Sequence, residues 1–312
     1  MGRGNKRKPL VPPPMASLRR ARAVTSSFHR LTAELAEASA AGRRADAARV
    51  SLELEQLGGC GLCRGCVCPG GHAECVATAR RRAAYQEASA LTTARHRTAK
   101  FVFSALTRHG LRPARGEPPL PLLEVGAVNT QLLSVPWLAT RAIDLRSTHP
   151  RIEQLDFFSL APAAEYGAVV CAMVLNCVPD ALARGAMLRG LREHLRPGGL
   201  CFVMLPLRCV AGSPFTTRDT FAAALAAAGL EARARRARCL EETLLSECSN
   251  VTSAQVLETK ESPKVVFICA RAAALPDAAA RRAAAARFRD PPAVVARGAE
   301  LTNQFAVAFA PP

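Results

Sequence analysis

The chain has 312 residues, a formal net charge of +17 and a sequence pI of about 10.2. This length provides for one large domain with an extension, and so strong a positive balance favours a polyanionic partner. No apolar run approaches the roughly 18 residues needed to span a bilayer, which excludes a helical membrane protein.

The first 30 residues carry eight positive side chains and no acid: Arg3, Lys6, Arg7, Lys8, Arg19, Arg20, Arg22 and Arg30. Residues 1–16, with Pro9 and three consecutive prolines, cannot bury a core, and this composition predicts a disordered basic tail. Its charge could displace counterions from RNA phosphates or serve as a nuclear address. A solvated tail and an acid-poor organelle transit peptide are the alternatives.

Helical periodicity follows the tail. Apolar residues recur at helical spacing over residues 17–57 and again from Tyr85 to His109, where Gly110 marks a helix end. The pattern predicts a helical extension over residues 17–110.

A glycine-rich loop at residues 58–75 separates the two helical stretches and contains five cysteines and one histidine. In a reducing compartment thiols at such spacing favour zinc over disulfides, and four of the six groups suffice for a structural tetrahedral site. The alternative is an insertion that binds no metal. The candidate ligands are Cys60, Cys63, Cys66, Cys68, His72 and Cys75.

An α/β domain is predicted over residues 120–270. An apolar strand from Leu120 to Val125 runs into Gly126, whose missing side chain would let a ligand approach the backbone, and a second strand ends at Asp144. Glu124 and Asp144 lie twenty residues apart, about one βαβ half-unit, so an acid at the second strand's end could bind a ribose diol. Only Gly126 remains of a G-x-G-x-x-G pattern, which fits a nicotinamide site poorly. The spacing favours a Rossmann-like site for S-adenosylmethionine (SAM).

Three later segments also read as strands. Residues 166–179 predict a buried strand that ends at Asn176 and a proline turn, and residues 194–206 predict a helix stop, a Pro-Gly-Gly turn and a fifth strand. Residues 264–270 predict a late strand. The Ala/Arg-rich C-terminal segment, 271–312, predicts a loose helix or a linker, with a possible final strand at residues 303–309.

The chain resembles a known family, base methyltransferase 2, whose fungal and plant enzymes form N1-methyladenosine in large-subunit (25S) ribosomal RNA. The resemblance extends over most of residues 27–225. It rests on six blocks: SFHRL (Ser27–Leu31), AYQEAS (Ala84–Ser89), LLEVGA (Leu122–Ala127), AIDLRSTHPRIEQLDFF (Ala142–Phe158), VLNCVPD (Val174–Asp180) and LRPGGLCFVMLPLRCV (Leu195–Val210). It implies a Rossmann-like, SAM-dependent methyltransferase domain with an N-terminal helical extension.

The resemblance also assigns site residues. It places Gly126 beside the methionine moiety of SAM and Asp144 on its ribose hydroxyls. Asp156 and Phe157 follow the third strand, where this fold brackets the adenine of SAM; the alternatives are a cap and a core side chain. Asn176 is the candidate for contacting the target adenine. The Asn-Cys-Val-Pro sequence lacks the full motif of amino-methyltransferases, which favours methylation of a ring nitrogen.

The implied partner is ribosomal RNA or a pre-ribosomal particle. Because N1 lies on the Watson–Crick edge, the target base must be unpaired or extruded. Aromatic rings near the cleft could stack on it, and arginines could contact phosphates, although core packing and a solvated helix face are equally ordinary uses. These residues are Phe202, Phe215, Phe221, Arg208, Arg218, Arg233, Arg235, Arg236 and Arg238.

Two functions are therefore in competition. The first is an rRNA adenine-N1 methyltransferase of the nucleus and nucleolus. The second is a catalytically silent SAM-binding regulator that acts through a protein partner, as a metazoan relative of the same family does. The basic N-terminus favours the enzyme, because a metabolite sensor has no evident need for it.

Overall fold

A computed structural model describes residues 17–57, 88, 98–145, 147, 149–231, 258–298, 301 and 303–311. The chain divides into two compact units, with the division between His96 and Arg97. The helical extension was expected to continue to residue 110, but the helix that follows Arg97 belongs to the second unit. In the described part of the chain, no helix is long and apolar enough to cross a membrane.

The first unit contains a helical hairpin, as its periodicity predicted. Helix α1 (Leu18–Ala40) begins at Ser17, whose hydroxyl accepts a hydrogen bond from Arg20 N at 3.3 Å, and α2 (Arg44–Leu57) follows a tight turn. A small apolar core joins the two helices. It consists of Leu31, Leu35, Val50 and Leu54, with Phe28 and Ala47 at its margin.

The second unit is an α/β domain built on one mixed sheet. Its helices are α3 (Thr98–Arg108), α4 (Ala181–Glu193), α5 (Arg208–Ala211), α6 (Arg218–Ala227) and α7 (Ala278–Arg287). Its strands are β1 (Leu120–Val125), β2 (Leu138–Asp144), β3 (Glu153–Gln154), β4 (Tyr166–Ala172), β5 (Leu195–Pro206), β6 (Leu230–Glu231), β7 (Glu258–Glu261) and β8 (Val265–Ala272).

The strand order is β3-β2-β1-β4-β5-β8-β6, and β7 also pairs with β8. Strands β1 to β5 are parallel to one another, whereas β8 runs antiparallel to each of its partners. The chain builds outward from β1 to β3 and then returns to place β4 on the other side of β1. This is the doubly wound, Rossmann-like arrangement that the sequence predicted.

Alternate residues of the strands supply two separate cores. Leu123 of β1 and Val203 of β5 lie in the core that includes α4, α6 and residues 305–309, while Leu122 and Phe202 lie in the core beneath α3. Because both faces are covered, the central strands read as continuous apolar runs.

Two of the predicted elements differ from the structure, and a third is confirmed. Strand β4 ends at Ala172 and not at Asn176, because Met173 adopts a left-handed φ of 62° and a short 3-10 helix, Leu175–Cys177, follows. The Pro-Gly-Gly turn lies within β5, where it produces an irregularity in the pairing with β4. The late strand at residues 264–270 is confirmed as β8.

The predicted final strand at residues 303–309 is wrong. The segment is buried from Phe305 to Phe309, but its backbone bonds to α4 and to loops instead of a sheet edge. Ala308 N donates to Ala181 O at 2.9 Å, and Phe309 N donates to Phe288 O at 2.8 Å. The apolar pattern therefore indicated burial correctly but the wrong partner.

Candidate active site

The site lies at the carboxyl edge of the parallel strands, where the strand order reverses between β1 and β4. Val125 pairs with Ile143 of β2 and with Cys171 of β4. The next residue of each strand, Gly126, Asp144 and Ala172, is therefore at the same edge. Crevices at such a reversal are where doubly wound sheets bind ligands.

Gly126 forms a tight turn after β1, close to the side chain of Val174. Its φ is +75°, its N–H donates to Ile143 O at 2.8 Å, and Ala127 N donates to the same oxygen at 3.0 Å. A Cβ at this position would lie 2.1 Å from Cγ2 of Val174. Both the conformation and the contact with the β4–α4 loop exclude a side chain.

Glu124, two residues earlier, has a buried carboxyl, although in the sequence only its spacing from Asp144 was informative. It is 8% exposed, and Oε2 has no hydrogen-bond partner among the described residues. Burial raises the pKa of this carboxyl to about 8. An acid within an otherwise apolar strand was the signal that could have identified it. The Oε2 atom, unpartnered among the described residues, suits a ligand that forms a hydrogen bond with this carboxyl.

Asp144 lies at the end of β2, as predicted, and is half-buried. Its carbonyl accepts a hydrogen bond from Leu155 N at 3.1 Å, which fixes the start of the next loop. Burial above all, then neighbouring thiols and to a smaller extent the Asp144 charge, raises the pKa of the Cys177 thiol to about 12. Asp144 is thus electrostatically coupled to the β4–α4 loop across the edge.

Asp156 and Phe157 occupy the alternative roles given above, a cap and a core side chain. Asp156 caps a 3-10 helix, Phe157–Ser159, through a 3.0 Å bond from Phe158 N, and its side chain is exposed. The Phe157 ring is buried against Gly190 and lies 5.5 Å from the ring of His194. Their roles toward SAM stay predictions. Phe158, which no sequence motif indicated, is the exposed ring here, at 51%.

Asn176 lies in the 3-10 helix that follows β4. Val174, two residues earlier, is the neighbour of Gly126. Its Nδ2 donates to Cys177 Sγ at 3.4 Å, while Oδ1 is buried without a hydrogen-bond partner in the described ranges. Met173 N donates to Met204 O at 2.9 Å, and this bond stabilises the left-handed turn before the loop. Backbone strain of this kind is common where a protein positions a ligand.

The other candidates separate into three groups. Phe202 and Phe221 are core residues, and Phe215 is half-buried beside a small cluster of alanines, so their predicted stacking has no support from these positions. Arg218 pairs with Glu261 in an exposed ion pair of 2.5 Å. Arg233, Arg235, Arg236 and Arg238 lie outside the described residues, as do the six predicted metal ligands, Cys60, Cys63, Cys66, Cys68, His72 and Cys75.

No metal centre replaces that prediction elsewhere in the described ranges, where no three His, Cys, Asp or Glu side chains lie together as ligands. Nor do the described thiols at the edge suit nucleophilic catalysis. Burial raises the pKa of Cys209, as of Cys177, to about 12, so both remain protonated at neutral pH. The site therefore offers positioning groups, and its described thiols are not reactive nucleophiles.

Comparison with known proteins gives one family match and one curated relative. The model of the family described as Bmt2, 25S rRNA (adenine(2142)-N(1))-methyltransferase, matches residues 74–264, more than half of the chain. The 25S rRNA adenine-N(1) methyltransferase of Schizosaccharomyces pombe is 31% identical over 115 residues, which cover 34% of this chain. The chain spans 42% of the length of that relative.

Solved structures with a similar chain path have low sequence identity. The 1,6-didemethyltoxoflavin-N1-methyltransferase of Burkholderia thailandensis is 14% identical, with a TM-score of 0.37 over 61% of this chain and 90% of its own. A variant of the 16S rRNA (adenine(1408)-N(1))-methyltransferase of Catenulisporales acidiphilia is 15% identical, with a TM-score of 0.34 over 56% and 92%. Likeness at this level carries no argument about function.

Proposed function

The chain belongs to the Bmt2 family of 25S rRNA (adenine(2142)-N(1))-methyltransferases, and on that premise we propose that it methylates N1 of an adenine in large-subunit ribosomal RNA with SAM as the methyl donor. The observation that supports this most directly is the extent of the family match. It includes β1, β2, β4 and the loops at their carboxyl ends, and so every element of the candidate active site.

The residues at the β1–β2 end fit SAM. Gly126 forms a left-handed turn with half-buried backbone at the end of β1, and Asp144 would accept hydrogen bonds from the two ribose hydroxyls. The buried carboxyl of Glu124, whose Oε2 has no hydrogen-bond partner among the described residues, is a further polar group in the same strand. When bound there, SAM supplies a methyl group that is already electrophilic because it is attached to a sulfonium.

The target base would be oriented from the β4–α4 loop. Adenine N1 carries a free lone pair and loses no proton when it attacks, so the protein needs no general base. The buried Oδ1 of Asn176 is an acceptor without a partner in the described part of the chain, which suits a hydrogen bond from the exocyclic amine of an extruded adenine. The work of these residues is alignment and exclusion of water.

Contact with RNA outside the site is expected from the basic N-terminus. Arg19, Arg20 and Arg22 lie on the first turns of α1 and continue the positive charge of residues 1–16. Phosphate neutralisation would make binding steeply dependent on salt. We also propose that the substrate is free large-subunit RNA or a pre-ribosomal particle and that the protein resides in the nucleus and nucleolus; the positive charge of the N-terminus supports this.

Zinc binding by the Cys-rich loop is retained as a separate proposal, supported by ligand spacing alone. Native mass spectrometry of the full chain, before and after chelation, tests it. A mass increment of one zinc ion that chelation removes would support it, and a metal-free native mass would end it.

Methyl transfer in vitro tests the main proposal. Purified protein is incubated with a large-subunit rRNA transcript and isotope-labelled SAM, and the RNA is digested to nucleosides for mass spectrometry. We expect label in N1-methyladenosine from wild type and far less from Asn176→Ala at equal SAM occupancy. SAM binding with no methylated nucleoside on free RNA or on pre-ribosomal particles would favour the silent regulator.

A further inference from the structure

Arg184 on α4 is a buried cation that the proposed reaction does not use. Its guanidinium donates three hydrogen bonds, to Val178 O at 3.0 Å, to Pro179 O at 3.2 Å and to Ala306 O at 2.8 Å. The side chain also lies over the Phe305 ring, 5.0 Å from its centroid. Among the described residues, its hydrogen-bond acceptors are all neutral carbonyl groups.

Burying a cation against neutral acceptors costs free energy that an apolar residue would avoid. Its presence therefore indicates a task that an apolar residue cannot perform. A methionine or leucine would fill similar space. Neither could join two carbonyl groups of the β4–α4 loop to a carbonyl of the C-terminal segment. Val178 and Pro179 come directly after the 3-10 helix that contains Asn176, so these bonds fix the part of the chain that presents the amide.

Residues 303–309, here termed the C-terminal brace, are themselves fixed at several points. Phe305 O accepts hydrogen bonds from Ser213 Oγ at 2.6 Å and Thr216 Oγ1 at 3.0 Å, and Asn303 N donates to Gly212 O at 2.8 Å. The brace thereby connects the α5–α6 loop with the start of α4.

The approach of the brace to α4 depends on Gly185, the neighbour of Arg184. A Cβ there would lie 1.9 Å from Ala308 O. Ala308 N in turn donates to Ala181 O in the first turn of α4. The brace lies beyond residue 264, where the family match ends.

We propose that Arg184 is a positioning residue for methyl transfer, which acts with the C-terminal brace to fix the β4–α4 loop so that Asn176 meets the target base. The inference rests on the proposed function for its catalytic consequence. Its structural half, that Arg184 and the brace fix the loop, can be measured without activity.

The loop contains its own reporter. Cys177 Sγ donates to Met173 O at 3.2 Å, and its reaction with iodoacetamide, followed by peptide mass spectrometry, reports on loop opening. Cys171 in β4 is completely buried and serves as the internal reference. In Arg184→Met we expect Cys177 to be alkylated at least about tenfold faster than in wild type, while Cys171 is unchanged.

The kinetic experiment compares wild type, Arg184→Met, Arg184→Lys and the control Arg282→Met, which removes an exposed arginine from α7. We expect kcat for RNA methylation to fall roughly 10- to 100-fold in Arg184→Met, with the Kd for SAM changed less than about twofold. Lysine restores a donor but not the three-way geometry, so partial rescue is expected. Arg282→Met should behave as wild type.

A second variant tests the brace from the other side. Ser213→Ala removes one of the two hydroxyl bonds to Phe305 O and should reproduce the Arg184→Met behaviour more weakly. The inference is overturned if Cys177 reactivity is unchanged in Arg184→Met, or if SAM binding is lost in parallel with kcat, which would show a general structural role. Absence of RNA methylation by wild type would refute the proposed function, while the alkylation rates would still decide whether Arg184 fixes the loop.

Discussion

The two ends of the site are constructed by different means. At the β1–β2 end, Gly126 and Asp144 are placed by strands that begin only a few residues earlier, and their hydrogen bonds connect neighbouring strands. At the β4–α4 end, the loop around Asn176 bonds through Arg184 to Ala306, 122 residues away from that arginine in the chain. The proposed methyl-donor end is built from local contacts, and the proposed target-base end depends on the distant C-terminal segment.

This difference explains why changes at the two ends should separate. A change at the first end should alter SAM affinity and leave the loop unaffected. A change at the second should alter turnover at constant SAM affinity. Gly126 and Val174 are in contact, so the two ends meet at this point. A change at this contact should therefore affect both SAM affinity and turnover.

The largest effect is expected at that contact. Gly126→Ala must place a methyl group against Val174 and adopt a left-handed φ, so we expect SAM affinity to fall at least roughly 100-fold. Gly198→Ala is the matched control, because Gly198 has a φ of +77° and nothing within 4 Å of the place that a Cβ would take. Calorimetric titration with SAM compares the two. A SAM affinity of Gly126→Ala equal to that of Gly198→Ala and wild type would remove Gly126 from the site.

The next largest effect is expected at the proposed target-base end. Asn176→Ala removes the proposed acceptor for the target base, and we expect kcat to fall roughly 10- to 100-fold. SAM affinity should stay within about twofold of wild type, because the side chain belongs to the target-base end. Steady-state kinetics with RNA, together with SAM calorimetry, provide both numbers. Weakened SAM binding in this variant would place Asn176 at the donor end and break the separation.

Asp144→Ala is expected to act on affinity alone. Loss of an ionised acceptor for two hydroxyls should weaken SAM binding by about 1.5 to 3 kcal/mol, roughly 10- to 100-fold, while kcat at saturating SAM changes little. The alkylation rate of Cys177 serves as the check on the fold. Unchanged SAM affinity would remove Asp144 from the site.

The last prediction concerns stability instead of ligand binding or turnover, through the pH dependence that Glu124 contributes. Burial raises the pKa of this carboxyl from 4.5 to about 8, so the folded protein binds a proton that the unfolded chain releases. The free energy of unfolding should therefore fall with rising pH between about 4.5 and 8, by up to about 1.4 kcal/mol per pH unit, and level off above. Glu124→Gln should remove this contribution, whereas Glu117→Gln at an exposed position should retain it. Parallel wild-type and Glu124→Gln profiles in urea titrations would contradict the assignment.

The sequence predicted the donor end well because its signals are local. Two signals can be read from short stretches of sequence: an apolar run that stops at Gly126, and an acid one βαβ half-unit later. Both are consequences of strand geometry. The target-base end was harder. The apolar residues from Val174 to Pro179 continue the pattern of β4, and nothing in their order shows that the chain turns at Met173.

Other errors have the same physical origin. Residues 305–309 are buried as a strand would be, but they pack against α4 and the α5–α6 loop. This contact depends on Gly185 and Arg184, which are far away in the chain. Glu124 was missed as a candidate because only its spacing from Asp144 was considered; an acid within an apolar strand indicated burial, while its Oε2, unpartnered among the described residues, became evident only in the fold. For Asp156, capping and ligand binding place the same residue type at the same position, so the sequence could not separate them.

The most direct test of the central claim is reverse-transcription mapping of large-subunit rRNA from cells that lack this gene and then receive wild type or Asn176→Ala. An N1-methyl group blocks Watson–Crick pairing and stops the polymerase at the modified adenine. The account predicts a stop that disappears on deletion, returns with wild type and is much weaker with Asn176→Ala. An identical pattern of stops with and without the gene would contradict it.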